Sequence, residues 1–145
     1  MSTNKLPVST ILIEVAPADL IDRITVLEVK SERLINPAGL RNVTTELAVL
    51  RDARDKAVTA DSELTRLAAE LRKVNETLWD LEEEVRRCEA RKDFGAPFIA
   101  AARSIISSND RRAALKRAIN QLLGARFQEE KSYPLPEQAI KSSSQ

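Results

Sequence analysis

Histidine is absent from this sequence of 145 residues, cysteine occurs once and glycine three times. Without histidine, the chain lacks the commonest metal ligand and the usual general base at neutral pH, so Ser–His and Cys–His nucleophile pairs are excluded. The single cysteine, Cys88, cannot form a disulfide within the chain. The glycines stand too far apart for a phosphate-binding loop. We therefore expect no catalytic residues, no metal site and no cofactor.

Aromatic residues are also scarce, at 3% of the chain, whereas hydrophobic residues make up 43%. A core must then be built from Leu, Ile, Val and Ala, which is typical of helix bundles. The net charge of +1 gives no overall field that would attract nucleic acid or a membrane surface. The apolar run at Leu6–Pro17 is interrupted by Glu14 and is too short to cross a bilayer. These features predict a cytoplasmic protein without membrane insertion.

The chain is predicted to form one helical domain over residues 1–136, followed by a disordered polar tail at 137–145. β-branched and apolar residues between positions 6 and 16 indicate a short strand or an extended arm. A strand there has one candidate partner, Ala125–Tyr133 near the other end of the chain. Two extended arms lying on the helices are the alternative.

Proline and capping residues predict where the helices begin. Pro17 suits the first turn of a first helix, and Asn36 followed by Pro37 starts a second. Since no proline or glycine occurs between Gly39 and Gly95, residues 37–92 form either one long helix or two. We favour two, with a turn near residues 59–62.

The C-terminal third is predicted to hold two shorter helices. Gly95 is expected to end the third helix and Pro97 to open a fourth. The stretch SSND at residues 107–110 is expected to break that helix and to cap a fifth, which ends at Gly124.

A regular apolar seam runs along the third helix, with spacings that alternate between three and four residues from Leu64 to Cys88. A parallel coiled-coil dimer is disfavoured, because the flanking positions provide no pair of opposite charges. We expect the seam to pack against the apolar stripe Leu40–Leu50 as a long antiparallel hairpin. The fold class is therefore all-α, with the hairpin crossed by the two shorter helices.

Trp79 and the basic segment Ser107–Arg126 are the candidates for binding. Trp79 lies outside the seam, and it is either a core residue or an anchor for a partner protein. The basic segment either binds a small anion such as a phosphosugar, or neutralises the acidic cluster between Asp80 and Glu89. Nucleic acid is disfavoured, because no aromatic residues accompany the basic ones. The candidate ligand or partner residues are Trp79, Arg103, Arg111, Arg112, Lys116, Arg117 and Asn120.

One enzyme class uses only helices and charges. The stretch DLIDRITVLEVKSERL, with Arg23, Lys30 and Arg33, superficially resembles small helical chorismate mutases, which hold a dianion by electrostatic complementarity. Charged residues beside an apolar stripe are ordinary in any amphipathic helix. An enzyme is therefore the alternative to an interaction protein.

Four stretches together resemble a bacterial family of small proteins known only as a domain of unknown function: DLIDRITVLEVKSERL, VNETLWDLEEEVRRCEARKDFG, ARSIISSNDRRAALKRAINQLLGA and EEKSYPLP. The resemblance covers roughly residues 8–136 and implies no activity. It implies that relatives are sometimes encoded near genes for cell-surface polysaccharide synthesis.

Polar residues within these stretches are predicted to form a buried hydrogen-bonded network between helices, or else to line a ligand site. The candidates are Asp22, Arg23, Glu28, Lys30, Asn75, Asp80, Asn109 and Asp110, with Trp79, Glu83, Arg112, Lys116 and Asn120 in the same stretches. The sequence thus predicts a non-enzymatic interaction or scaffold protein, with a protein partner or self-association as a homodimer, and an expected link to envelope polysaccharide synthesis.

Overall fold

The computed structural model describes residues 9–130, and within them the fold is all-α, as predicted. The helices are α1 (Pro17–Arg33), α2 (Pro37–Ala57), α3 (Ser62–Arg91) and α4 (Ala96–Leu122). In this part of the chain, no helix combines the length and the hydropathy needed to cross a membrane. The predicted tail at 137–145 lies outside the described residues.

The first three helices begin where local chemistry predicts. Pro17 opens α1, and the side-chain oxygen of Asn36 accepts hydrogen bonds from the backbone N–H groups of Ala38 at 2.9 Å and Gly39 at 3.3 Å. Asp61 caps α3 by accepting from the N–H of Leu64 at 3.0 Å. These caps satisfy N–H groups that a helix start otherwise leaves unpaired. The prediction of two helices over residues 37–92 is confirmed.

Two expectations about the second half of the chain are wrong. Lys92, at φ 55°, takes the left-handed position that ends α3, whereas Gly95, at φ −81°, lies at the start of α4. The expected break at residues 107–110 does not occur, and α4 is one continuous helix instead of two shorter ones. Serine, asparagine and aspartate each disfavour a helix by only about 0.5–0.7 kcal/mol, and packing at Ala101 and Ala113 on either side outweighs that cost.

The helices pack around α1, which contacts the other three. The seam residues Leu64, Leu67 and Leu71 of α3 pack against α1 and α4, not against α2. No Cα atom of α2 lies within 8 Å of one in α3 or α4. The expected α2–α3 hairpin is therefore wrong, and the long antiparallel hairpin is formed by α3 and α4.

A second hydrophobic core, between α1 and α2, explains why α2 does not pack against the seam of α3. Ile24 and Leu27 of α1 pack against Val43 and Leu47 of α2. Because the buried apolar residues of α1, from Ala18 to Val29, cover more than half of its circumference, it can accept α2 on one side and the α3–α4 hairpin on the other.

Residues 9–16 contain neither a strand nor a helix, so the predicted strand is not found in the described part of residues 6–16. Instead, Ile11, Leu12 and Ile13 are 83%, 89% and 75% exposed. We call Ser9–Val15 the N-terminal segment. It does not lie against the helices as the alternative prediction expected, and within residues 9–130 its bond to the body is the ion pair of Glu14 with Arg126.

Candidate functional site

A buried polar network joins α1, α3 and α4. The carboxylate of Asp22, which is 6% exposed, accepts hydrogen bonds at 3.0 Å from Arg112 Nε and from Asn75 Nδ2. Asn75 also donates to the hydroxyl of Thr25 at 2.8 Å, and that hydroxyl donates to the carbonyl of Asp22. In the described residues, every buried side-chain nitrogen or oxygen has a partner. A network whose members are all satisfied has no free group to offer a ligand.

The electrostatics of Arg112 agree with a structural role. Its hydrogen bond to Asp22 raises the pKa of Arg112, and this effect outweighs burial, which lowers it. The guanidinium of Arg112 therefore stays charged, and its charge compensates that of the Asp22 carboxylate in the same chain. Removing Arg112 would leave the buried carboxylate of Asp22 without its cation, whereas Arg112 itself is only half-buried.

A second polar cluster ties α4 to the start of α1. Lys116 Nζ lies 2.9 Å from Asp19 and 3.0 Å from Glu129, and its side chain is only 13% exposed. Burial lowers the pKa of Lys116, but the hydrogen bonds to Asp19 and Glu129 together raise it above its ordinary value. Beside this cluster, Asn120 accepts a hydrogen bond from the N–H of Ala18 at 3.0 Å. The polar side chains of α4 thus hold helices together.

The basic residues of the segment 107–126 are largely neutralised. Arg111 bonds Glu70, and Arg126 bonds Glu14, while Arg117 donates to the backbone carbonyl of Glu129 at 3.4 Å. None of these partners belongs to the acidic cluster between Asp80 and Glu89, so that expected pairing is wrong. The bonded partners come instead from the first half of α3, Glu70, and from the segments before α1 and after α4, Glu14 and Glu129. Within the described residues, Arg103 has no ion pair.

The other predicted network residues are dispersed. Arg23 pairs with Glu46 at 3.0 Å, and Asp80 with Arg33 at 2.6 Å, on exposed surfaces. Trp79 is half-buried and donates to Glu83 at 2.9 Å. Among residues 9–130, the side chains of Lys30, Asn109 and Asp110 form no hydrogen bond or ion pair.

Sequence reasoning missed Thr25, Arg72, Asp19 and Glu129, which complete the polar contacts. Arg72 is bonded to Glu28 at 2.7 Å and also contacts Glu32 and Glu76. Thr25 lies three residues after Asp22 on the same side of α1, and this spacing is a signal that could have identified it. Arg72 could not be found in this way, because its partners on α1 are about 40 positions away in sequence.

A groove of about 670 Å³ lies between the end of α2 and the first half of α3. Ile21 and Ile24 of α1 form its floor. The residues that line it are Ile21, Ile24, Thr25, Glu28, Arg54, Asp55, Val58, Thr59, Ala60, Asp61, Leu64, Thr65, Ala68, Ala69 and Arg72. The groove exists because α2 and α3 both pack on α1 without packing on each other, and because the wall of α3 carries small side chains.

The charged groups of the groove are already paired. Glu28 bonds Arg72, Arg54 bonds Asp55 at 3.0 Å, and Asp61 caps α3. No group of three acidic or cysteine residues in positions 9–130 is arranged to hold a metal ion. What the groove offers is the apolar surface of Val58, Ala68 and Ala69 above a buried floor, with hydroxyl-bearing side chains beside it.

Comparison with known proteins gives one match. The model of a family described as "Family of unknown function (DUF6165)" matches residues 11–144. No curated protein and no solved structure matches the chain. The match agrees with the predicted resemblance to a family of unknown function, and it extends further toward the C-terminus than expected.

Proposed function

The chain belongs to the DUF6165 family, which has no assigned function, and on that premise we propose that it is a non-enzymatic interaction protein that binds an apolar protein segment in the α2–α3 groove. A scaffold protein needs a surface on which another polypeptide can bind. The groove is the surface that we propose for this role. The volume of about 670 Å³ suits a short stretch of side chains.

One observation carries this proposal: α2 and α3 both pack on α1, while no Cα atom of α2 lies within 8 Å of one in α3. Ile21, Ile24 and Leu64 lie buried at the base of the gap, and the apolar surface that stays accessible there comes from the half-buried Val58 and Ala68 and the exposed Ala69. Burial of such surface drives association. Because the charged side chains in the groove already have partners, its occupant need not carry charge.

The alternative role, an enzyme or anion-binding module built on the basic part of α4, has less support. Arg111, Arg112, Lys116 and Arg126 all bond carboxylates of the same chain. An anion would have to displace those carboxylates, and for Arg112 the displaced group, Asp22, is buried. A chorismate-mutase-like site has the same difficulty, because Arg23 pairs with Glu46.

Site-specific photocrosslinking tests the proposal. A photoreactive amino acid replaces Ala69, an exposed residue of the groove, and in a control chain it replaces Ala100, an exposed residue of α4. In native cells, we expect crosslinking at position 69 to one apolar peptide, identified by mass spectrometry. This adduct should disappear when Thr65→Arg places a long charged side chain in the groove.

Absence of a peptide adduct at position 69 would contradict the proposal, as would equal crosslinking at positions 69 and 100. An adduct that persists in the Thr65→Arg chain would also count against it, because contact would then lie outside the groove.

A cytoplasmic location and a partner in envelope polysaccharide synthesis complete the proposed function. The second part rests on the resemblance of the sequence alone. Deletion of the gene followed by measurement of surface polysaccharide tests it, and unchanged polysaccharide in the deletion strain would contradict it.

A further inference from the structure

The N-terminal segment is a second apolar surface without a partner in the described part of the chain. Ile11, Leu12 and Ile13 are at least three-quarters exposed, and Val15 is 54% exposed. Isolated exposed apolar residues are ordinary, but four within five positions form a continuous patch. A segment of this kind is expected to bury itself against another surface.

The groove and the segment match in chemistry. Residues 9–13 are Ser, Thr, Ile, Leu and Ile, and none carries a charge. The groove has an apolar floor, and its ionisable groups are paired with one another or used as a helix cap. The backbone of a bound segment could form hydrogen bonds with the hydroxyl groups on the walls and with water at the open side of the groove.

The two surfaces also match in length. The wall of α3 runs from Leu64 to Arg72, about 12 Å at 1.5 Å per residue. Residues 11–15, when extended, span about 13 Å at 3.3 Å per residue. Five residues are therefore enough to fill the groove from end to end.

The segment is held away from the groove of its own chain. Ala16 is buried, and its carbonyl accepts from the N–H groups of Asp19 and Leu20, which fixes the root of the segment. Glu14 bonds Arg126, which follows α4, and no described residue of α4 or of the chain after it lines the groove. Insertion into the same chain would require breaking this ion pair.

A second copy of the chain meets no such obstacle. Pro17, at the root of the segment, and Val58–Asp61, at the end of the groove, line one smaller cavity together with Leu122 and Leu123. The root and the groove therefore open at the same end of the molecule. Two copies that meet at this end around a two-fold axis bring the root of each segment close to the groove of the other copy.

We propose that the protein forms a symmetric dimer in which the N-terminal segment of each protomer occupies the α2–α3 groove of its partner. This inference rests on the proposed function, since it names the segment that the groove binds. It makes the groove a self-association site.

Two variants and two matched controls test the dimer. I11D/I13D places charges in the apolar part of the segment, and S9D/T10D adds the same charges beside it. Ala69→Arg blocks the groove, and Ala100→Arg makes the same change on an exposed face of α4. By light scattering on the full chain, we expect the controls to dimerise like wild type. The dissociation constant should rise at least about 100-fold for I11D/I13D and for Ala69→Arg. Circular dichroism should show the same helix content in all four.

Mixing the two weakened variants gives the decisive result. I11D/I13D retains an intact groove and Ala69→Arg retains an intact segment, so the mixture can form one of the two contacts. We expect a heterodimer in the mixture at concentrations where each variant alone is monomeric. A wild-type chain that is monomeric throughout would overturn the proposal. So would dimerisation of Ala69→Arg like wild type, because pairing between two segments would not need the groove.

Photocrosslinking at position 69 separates this inference from the proposed function. An adduct of dimer mass that joins position 69 of one chain to residues 9–15 of a second chain supports both, whereas the same adduct within a single chain overturns the dimer. An adduct with a different protein overturns the dimer and leaves the proposed function standing, whereas the absence of any peptide adduct overturns both.

Discussion

Asp22 and Arg112 show how a few residues decide the relative position of three helices. The pair lies where α1, α3 and α4 meet, and Asn75 and Thr25 complete its hydrogen bonds. A charge in this position is costly to bury, and it is tolerated because each polar atom has a partner. The charged residues that the sequence presents as a basic patch on α4 therefore serve mainly to hold the bundle in register.

Substitution of Arg112 tests this structural role. We expect Arg112→Ala to lower the free energy of unfolding by about 3–5 kcal/mol, because the carboxylate of Asp22 stays buried without its cation. The control Arg103→Ala removes an exposed arginine of the same helix and should change stability by less than about 0.5 kcal/mol. Urea denaturation followed by circular dichroism measures both. Similar values for the two variants would indicate that the network contributes little to folding.

At the scale of the element, α4 is the instructive helix. Its middle contains Ser107, Ser108, Asn109 and Asp110, which are common at helix starts, and yet the helix continues through them. These residues favour a cap only where the chain has a reason to turn, and α4 has none while it follows α3 along its length. The start of α3 is the contrasting case, since Asp61 does act as a cap.

Alanine substitutions should change the free energy of unfolding in opposite directions at Ser108, inside a helix, and at Asp61, a helix cap. Ser108→Ala should raise the free energy of unfolding by about 0.5 kcal/mol, since alanine is the better residue in a helix interior. Asp61→Ala should lower it by about 1 kcal/mol through loss of a cap. Thermal unfolding of the two variants beside wild type gives both values. A loss of stability for Ser108→Ala would mean that a helix start lies near residue 108 after all.

At the scale of the whole molecule, the bundle is uneven. The α3–α4 hairpin and α1 share a core that includes Leu71, Leu115 and Ile119. By contrast, α2 packs on α1 alone, through Val43 and Leu47. An element with few buried apolar contacts opens at lower free energy than the rest of a domain.

Hydrogen exchange should therefore be fastest in α2. In a dilute sample of the I11D/I13D variant, in which the groove is expected to be empty, we predict that amides of residues 43–54 exchange before those of residues 67–78 in α3. Mass spectrometry of peptic peptides measures this difference. Leu47→Ala should widen it, because it removes a contact that only α2 and α1 share. Equal protection of α2 and α3 would show that the bundle opens as one unit.

The sequence by itself determined the helical class, the starts of α1, α2 and α3, and the apolar seam of α3, because capping and periodicity are local properties. Only the tertiary structure decided that this seam packs on α4 and α1 instead of α2, and that a groove remains between α2 and α3. Hydrophobic burial is not directional, so the seam Leu64–Cys88 could pack against either of two apolar stripes in the chain, one on α2 and one on α4. The packing depended on α1, whose buried residues cover enough of the helix surface to hold α2 on one side and the α3–α4 hairpin on the other.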